Sequence, residues 1–170
     1  AGLVYWSTPI ARGSFPWTLG SFLGPYATSG ANMLWGYDAY NVTDSRAEMI
    51  YPVAIPSGDI RVQFNHSYGF DNGSYTLWDG GVIEYTLDGV SWGDAGAWIT
   101  QGASYRGTIA GGYQNPLAGR AGFGFDSFGY TASQLNISGL AGQNVRFRFR
   151  IGADNSYDDY WWFVDDVRIY

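Results

Sequence analysis

The sequence contains no cysteine and no lysine, and each absence excludes classes of protein. Without cysteine there is no disulfide framework, zinc–thiolate site, iron–sulfur cluster or cysteine nucleophile. Nine arginines face fifteen acidic residues, which gives a formal charge of -6. A nucleic-acid binder needs a basic surface to neutralise phosphates, so we expect no nucleic-acid partner. No apolar run approaches the ~20 residues of a membrane helix, so we also expect no membrane insertion.

Strong helix formers are scarce as well, since lysine is absent and glutamate and methionine occur twice each. Aromatic residues make up 19% of the chain, and 25 of the 170 residues are glycine. Aromatic residues favour strands and glycine favours turns. The composition therefore predicts a chain rich in strands and loops and poor in helix.

Two segments alternate apolar and polar residues, as expected of strands with one face in a core. They are 60–68 (IRVQFNHSY) and 143–151 (QNVRFRFRI). In the second segment three arginines fall on the outward face: Arg146, Arg148 and Arg150. This stripe either pairs with acidic residues on a neighbouring strand or holds an acidic glycan, and pairing is the commoner use.

Further strand patterns separated by turn signals continue along the chain, at 47–55, 81–87 and 161–170. Residues 1–43 show no clear period and are predicted to be irregular. Many short strands with long loops predict an all-β fold, a jelly-roll β-sandwich of two antiparallel sheets. We expect residues 1–170 to form one such domain.

A series of motifs follows in a recognisable order between about residue 44 and the end of the chain. They are FNHSYGFD (64–71), WDGGVIEYTLDGVSWGDAG (78–96), NPLAGRAGF (115–123), LAGQNVRFRFRIGADN (140–155) and WWFVDDVRI (161–169). The series resembles the MAM-like and choice-of-anchor-J-type jelly-roll domains of secreted bacterial proteins, including immune-inhibitor-A-like peptidases. The resemblance implies a noncatalytic accessory domain of a secreted, extracellular bacterial protein, often stabilised by calcium.

Metal-ligand candidates begin with Asp165 and Asp166, which lie inside the apolar closing strand. Consecutive strand residues point to opposite faces, so one of the two carboxylates points inward and needs a cation or strong donors. In the domains that this chain resembles, a closing-strand Asp at the position of Asp165 binds structural Ca²⁺. Asp44 or Asp38 could add a second carboxylate; the alternative is pairing of Asp165 with an arginine such as Arg46.

Two further acidic groups flank loops. Asp71, Asn72, Asp79 and Glu84 could form a second cation site or a sugar-binding rim, and we include Asp71 among the metal candidates. Asp154, Asn155, Asp158 and Asp159 form another group, which lacks the spacing of an EF-hand loop. A solvated acidic loop is the favoured interpretation of both groups.

Aromatic residues in predicted loops are candidates for glycan binding, because sugar rings stack their C–H faces on flat aromatic rings. The candidate ligand-binding residues are Trp78, Tyr75, Asp79, Tyr105, Tyr157, Tyr160 and Trp161. The alternative is that aromatic residues fill the sandwich core. That interpretation is favoured for Trp35, Trp92, Trp98 and Trp162.

Catalysis has little support in the sequence. The single histidine, His66, lies on the apolar face of its predicted strand, and no H-E-x-x-H motif accompanies it. Asp71, Asp79 and Glu84 could serve a glycoside-acting enzyme, but carboxylate pairs are common. We therefore predict a noncatalytic, calcium-stabilised module that binds a polysaccharide or glycan. The second interpretation is a protein-interaction or stability domain of a peptidase, in contact with its protein substrate.

Overall fold

The computed structural model describes residues 5–21 and 26–170, and within these ranges the regular structure is almost entirely β. No α-helix occurs in the described ranges; two short 3₁₀ turns, Gly96–Trp98 and Ser138–Leu140, join strands. The same residues contain no helix with the length and apolarity needed to cross a bilayer. The predicted all-β jelly-roll sandwich is confirmed.

The first sheet has the order β1-β5-β14-β8-β9, with β2 also pairing with β5 and β6 with β14. All its pairings are antiparallel. Its strands are β1 (Trp6–Ser7), β2 (Ile10–Arg12), β5 (Thr43–Met49), β6 (Val53–Ala54), β8 (Gly80–Thr86), β9 (Gly93–Asp94) and β14 (Asn144–Ala153).

The second sheet has the order β10-β13-β7-β15-β4-β3 and is also antiparallel. Its strands are β3 (Thr18–Gly20), β4 (Met33–Tyr37), β7 (Arg61–Tyr68), β10 (Ile99–Gly102), β13 (Thr131–Asn136) and β15 (Trp161–Ile169). A separate two-stranded ladder joins β11 (Gly107–Thr108) to β12 (Ala121–Gly122).

Residues 1–43 differ from the irregular region predicted from the sequence. Their described part contributes β1 to β4, and β4 pairs with the closing strand β15 inside the second sheet. The strand is only five residues long, MLWGY, and it carries no alternation of apolar with polar side chains. Periodicity therefore could not reveal it.

Trp162 lies at the centre of the core between the two sheets. Its ring packs against Trp17, Phe149 and Phe123 with centroid distances of 5.6, 5.6 and 5.5 Å. Gly81 of the first sheet faces this ring, and a Cβ there would lie 2.3 Å from it. A side chain at position 81 would thus push the two sheets apart.

The strand directions bring strand ends from both sheets to one end of the sandwich. The register pairs Tyr37 with Trp161, Trp162 with Tyr68, and Gly80 with Gly152. β4, β7 and β14 therefore end there, and β8 and β15 begin there. The polar residues that flank these five ends form the site described next.

Candidate functional site

Four aspartates from three loops converge at this end of the sandwich: Asp38, Asp71, Asp79 and Asp154. One carboxylate oxygen from each of Asp71, Asp79 and Asp154 lies within 4.8 Å of the others. The carboxyl group of Asp38 lies against that of Asp79. We call these four residues the aspartate cluster. Asp38 follows β4, Asp71 follows β7, Asp79 precedes β8 and Asp154 follows β14.

Hydrogen bonds to backbone and amide groups hold the two most buried carboxylates in place. Asp38 Oδ2 accepts from the backbone N–H groups of Asp71 (2.9 Å) and Asp159 (3.3 Å). Asp79 Oδ1 accepts from Asn115 Nδ2 (3.0 Å) and the backbone N–H of Asp154 (2.7 Å). The second oxygen of each group, Asp38 Oδ1 and Asp79 Oδ2, is buried without a hydrogen-bond partner.

The charges of the cluster are not compensated by any arginine in the part of the chain that the structure describes. Burial and the neighbouring carboxyl of Asp79 raise the pKa of Asp38 well above its ordinary value. Burial and the charge of Asp154 raise the pKa of Asp79 to about 7. Burial also raises the pKa values of Asp71 and Asp154.

These properties match the donor set of a hard divalent cation. Ca²⁺ takes six to eight oxygen ligands, many of them carboxylates. Two buried oxygens without partners and four carboxyl groups supply such ligands, and a positive ion would remove the energetic penalty that raises their pKa values. The residues present therefore fit a calcium ion.

The structure places the four metal candidates from the sequence at different sites. Asp38 and Asp71 belong to the aspartate cluster, but Asp44 and Asp165 do not. Asp44 forms ion pairs with Arg150 (2.8 Å) and Arg46 (3.3 Å) on the outer face of the first sheet. Asp44 therefore already has its cations, and the grouping that included it is corrected.

Hydrogen-bond donors from the protein hold the carboxylate of Asp165. Its carboxylate accepts from the Thr28 hydroxyl (2.9 Å) and from the backbone N–H groups of Thr28 (2.8 Å), Ser29 (3.0 Å) and Asp166 (2.7 Å). It pairs with Asn65 on the outer face of the second sheet, near the far end of the β4–β15 ladder from Asp38. Within the described ranges no arginine forms an ion pair with Asp165, so the pairing alternative is not supported.

The sequence placed Asp79 in a group that could form a second cation site or a sugar-binding rim, and it did not single out Asp154 as a metal candidate. A solvated loop was the favoured interpretation of both acidic groups, and the structure contradicts it for these two residues. Both are buried, at 0% and 1% exposure. Their position in the sequence could have indicated the cluster. Asp79 directly precedes β8 and Asp154 directly follows β14, and antiparallel pairing brings the start of one strand beside the end of the next.

Four aromatic side chains line the outer face of the second sheet beside the cluster: Trp35 and Tyr37 from β4, and Tyr160 and Trp161 from β15 and its approach. We call them the aromatic face. Trp161 contacts Trp35, Tyr37 and Tyr160 with centroid distances of 5.1, 6.0 and 6.3 Å. All four rings are partly exposed.

Strand alternation explains why these rings point outward. Gly36 faces inward, because a Cβ there would meet Trp17 and Ile151, so Trp35 and Tyr37 face outward. Trp162 likewise fills the core, which directs Trp161 to the outer face. The interpretation of Trp162 as core is confirmed, whereas that of Trp35 is wrong.

The other predicted glycan-binding residues do not join the aromatic face. Tyr75 is 97% exposed on its loop, and Tyr157 is also exposed. Trp78 is half-buried against Tyr113, with a centroid distance of 5.4 Å. These loop rings lie near the aspartate cluster but form no shared flat surface through the contacts that the structure describes.

Tyr105 has a structural role. Its hydroxyl accepts a hydrogen bond from the backbone N–H of Ile83 (3.0 Å), and its ring packs edge-to-face on Phe123 of the core (5.0 Å). The predicted ligand-binding role of Tyr105 is therefore replaced by a packing role.

The outer face of the first sheet carries a network of ion pairs. Arg148 contacts Glu48 (3.0 Å) and Glu84 (2.5 Å), and Arg150 contacts Glu84 (3.3 Å) as well as Asp44. Cross-strand pairing of the arginine stripe is thus confirmed. Trp92, interpreted as core, instead covers the Arg148 guanidinium at 4.1 Å. Glu84 is neutralised here and is not available as a partner of Asp71 or Asp79.

His66 is a structural residue, as expected. Its ring is fully buried; Nδ1 accepts from Trp162 Nε1 (3.2 Å), and Nε2 contacts the Ser133 hydroxyl (2.9 Å). Burial lowers the pKa of His66 to about 3, so the ring is neutral at physiological pH.

The opposite end of the sandwich has an apolar cleft of about 400 Å³ between the two sheets. Its floor includes Val62 and Phe147, and its mouth includes the exposed rings of Tyr5 and Tyr51. The two tyrosines meet edge-to-face at 6.5 Å.

No known family model matches the sequence, and no curated protein matches it. The fold is similar to that of solved β-sandwich domains. TmCBM61, solved in complex with β-1,4-galactotriose, aligns with a TM-score of 0.52 at 11% identity over 97% of this chain and 87% of that one.

Two other solved structures are similar to this chain to about the same degree. The K1 cleaved adhesin domain of Lys-gingipain from Porphyromonas gingivalis W83 aligns with a TM-score of 0.53 at 13% identity, over 97% of this chain and 89% of that one. The glycoside hydrolase domain structure of Endo-D from Streptococcus pneumoniae R6 aligns with a TM-score of 0.56 at 12% identity, over 96% of this chain but 21% of that one. At these identities the comparisons establish that the chain has the β-sandwich fold of carbohydrate-binding modules and adhesin domains.

Proposed function

We propose that this chain is a noncatalytic, calcium-stabilised carbohydrate-binding module of a secreted bacterial protein. The aromatic face is the observation that carries the proposal. Trp35, Tyr37 and Trp161 lie on strands of the second sheet, and with Tyr160, which precedes β15, they form a continuous, partly exposed surface of rings. Rings held by strands lose little conformational freedom on binding, which favours affinity.

The face would bind a glycan through stacking and hydrogen bonds. The negative π-faces of Trp and Tyr attract the C–H groups of a sugar ring. Polar groups at the edge of the face would orient its hydroxyls: the Tyr37 hydroxyl bonds to Asp158 Oδ2 (3.1 Å), and Asp158 is exposed. TmCBM61, whose structure contains β-1,4-galactotriose, gives a precedent for a glycan-binding module on this fold.

Calcium would occupy the aspartate cluster and hold its three loops together. A cation that binds the folded chain and not the unfolded chain raises the free energy of unfolding. Oxygen-only donors and the absence of cysteine and clustered histidine favour Ca²⁺ over zinc or copper. The ion has a structural role in this proposal and takes part in no reaction.

A retention screen in calcium-containing buffer tests the function. The panel holds cellulose, chitin, galactan, mannan, xylan, β-glucan and β-1,4-galactotriose beside collagen, gelatin and casein. We expect retention on at least one polysaccharide, weakened roughly 10–100-fold in Trp161→Ala and Tyr160→Ala. Tyr75→Ala is the matched control, since it removes an exposed ring outside the face. Retention of no polysaccharide, or retention that both face variants leave unchanged, would contradict the proposal.

A second function is favoured by the apolar cleft at the opposite end. A concave, mainly apolar surface suits an apolar side chain of a partner protein, as in an interaction domain of a secreted peptidase. Retention on the protein ligands alone, lost in Tyr51→Asp at the cleft mouth and kept in Trp161→Ala, would support this alternative over the first.

A further inference from the structure

The chain segment from Asp154 to Trp161 connects the aspartate cluster to the aromatic face. Asp154 supplies a carboxylate to the cluster, and Tyr160 and Trp161 are members of the face. At one end of the segment the backbone N–H of Asn155 donates to the Tyr113 carbonyl (3.2 Å), and at the other the Tyr160 ring packs on Phe163 (5.4 Å). Residues 157–159 between these anchors are exposed, so their position depends on the few contacts that they make.

Two hydrogen bonds tie the middle of this segment to β4. The backbone N–H of Asp159 donates to Asp38 Oδ2 (3.3 Å), within the cluster. The Tyr37 hydroxyl donates to Asp158 Oδ2 (3.1 Å), within the face. Tyr37 and Asp38 are consecutive residues, so one strand end contributes a ring to the face and a carboxylate to the cluster.

The stability of these contacts should differ between the cation-free and the cation-bound cluster. Without a cation, the buried oxygens Asp38 Oδ1 and Asp79 Oδ2 have no partner, and the ionised carboxyl groups of the cluster repel one another. Separation of Asp38 from Asp79 would relieve that repulsion and would weaken the hydrogen bond from Asp159 to Asp38, which positions the segment that carries Tyr160. A bound cation favours the compact arrangement, in which Asp159 remains bonded to Asp38.

We infer that a divalent cation in the aspartate cluster regulates glycan affinity at the aromatic face through residues 154–161. This inference rests on the proposed function and adds regulation to it. Linkage then requires reciprocity: the cation strengthens glycan binding, and the glycan strengthens cation binding by the same factor. We expect a factor of about tenfold or more.

The first test uses CaCl₂ alone and needs no glycan. Amide hydrogen exchange of the chelator-treated protein should slow at Asp159 and over residues 155–161 when calcium is added. Amides of β13, on the far side of the second sheet, should not change beyond the general effect of stabilisation. Exchange over 155–161 that calcium does not alter would overturn the inference.

The second test measures affinity for each soluble polysaccharide of the panel with calcium and with chelator. Tyr37→Phe keeps the ring in the face and removes the hydroxyl bond to Asp158, so the calcium effect should fall below about threefold while calcium binding itself persists. Tyr170→Phe is the matched control, because it removes a hydroxyl bond to Gln63 (3.0 Å) elsewhere on the same sheet; it should keep the full calcium effect.

The outcomes separate this inference from the function on which it rests. Equal glycan affinity with calcium and with chelator overturns the inference and leaves the carbohydrate-binding proposal intact. A full calcium effect in Tyr37→Phe overturns the route through Asp158. Retention of no polysaccharide under either condition contradicts the proposed function itself.

Discussion

Two groups of buried carboxylates in this molecule have opposite electrostatic surroundings. On the first sheet, burial raises the pKa values of Asp44 and Glu84, but the adjacent arginines outweigh burial and lower both pKa values overall. In the aspartate cluster, burial and neighbouring carboxyls raise the pKa values of Asp38 and Asp79, and no arginine in the described ranges forms an ion pair with either.

The chain supplies arginine cations for the first group, and we propose that a cation from solution compensates the second. A buried charge without a partner costs several kcal/mol, so a fold retains it only when something compensates it. The comparison predicts that neutralising a carboxylate changes the free energy of unfolding with opposite sign in the two groups.

The largest effect should come from removing a cation of the first group. Arg148→Met leaves Glu84 and Glu48 with less compensation, and we expect the free energy of unfolding to fall by about 3–5 kcal/mol. Denaturant titration measures this change. Arg168→Met is the control: its side chain is 62% exposed, and its loss should cost less than about 1 kcal/mol. Similar losses in the two variants would contradict the ion-pair account.

Neutralising one carboxylate in each group should change stability with opposite sign. In calcium-free buffer, Asp79→Asn relieves repulsion and should raise the free energy of unfolding by about 1–3 kcal/mol, whereas Asp44→Asn should lower it by a similar amount. Thermal melts in chelator give both values. Destabilisation by Asp79→Asn in chelator would show that the cluster is already compensated.

Proton competition at Asp79 should make calcium binding depend on pH. The raised pKa of about 7 means that the folded, calcium-free chain holds a proton there below pH 7, and calcium must displace it. The apparent calcium affinity should therefore fall about tenfold per pH unit below pH 7 and level off above it. Calorimetry at several pH values, in buffers of different ionisation enthalpy, measures the affinity and the released proton. An affinity that is constant between pH 5.5 and 8 would exclude Asp79 as a ligand.

His66 extends the comparison to a buried group that is neutral. Its pKa is about 3 in the folded chain and about 6.5 when unfolded, so the unfolded chain binds more protons between these values. Its contribution to stability is thus present above pH 6.5 and is lost as pH falls toward 3, by up to about 1.4 kcal/mol per pH unit. The difference in unfolding free energy between wild type and His66→Gln should show this slope. A flat difference would mean that His66 takes up a proton in the native state.

The fold could be predicted largely from the sequence because strand alternation is a local property. The segments 60–68 and 143–151 correspond to β7 (Arg61–Tyr68) and β14 (Asn144–Ala153). The acidic partners of the arginine stripe followed from the same alternation, since cross-strand neighbours share a face.

The sites could not be predicted in the same way, because they depend on which strand ends meet. Asp38 and Asp154 are 116 positions apart, and only the packing of two sheets brings them to one cluster. Trp35 and Trp162 both lie among apolar residues in the sequence, but Trp35 faces outward and Trp162 fills the core. The residues around Trp35, MLWGY, do not alternate between apolar and polar side chains, so they do not indicate which way its ring points.

Calcium titration of the chelator-treated protein by isothermal calorimetry tests the central claim most directly. The account predicts saturable binding of about one ion per chain, together with a higher melting temperature. Asp79→Asn should abolish or strongly weaken this binding, and Asp44→Asn should preserve it. A titration without saturable heat and with an unchanged melting temperature would contradict the account, as would the same isotherm in wild type and Asp79→Asn.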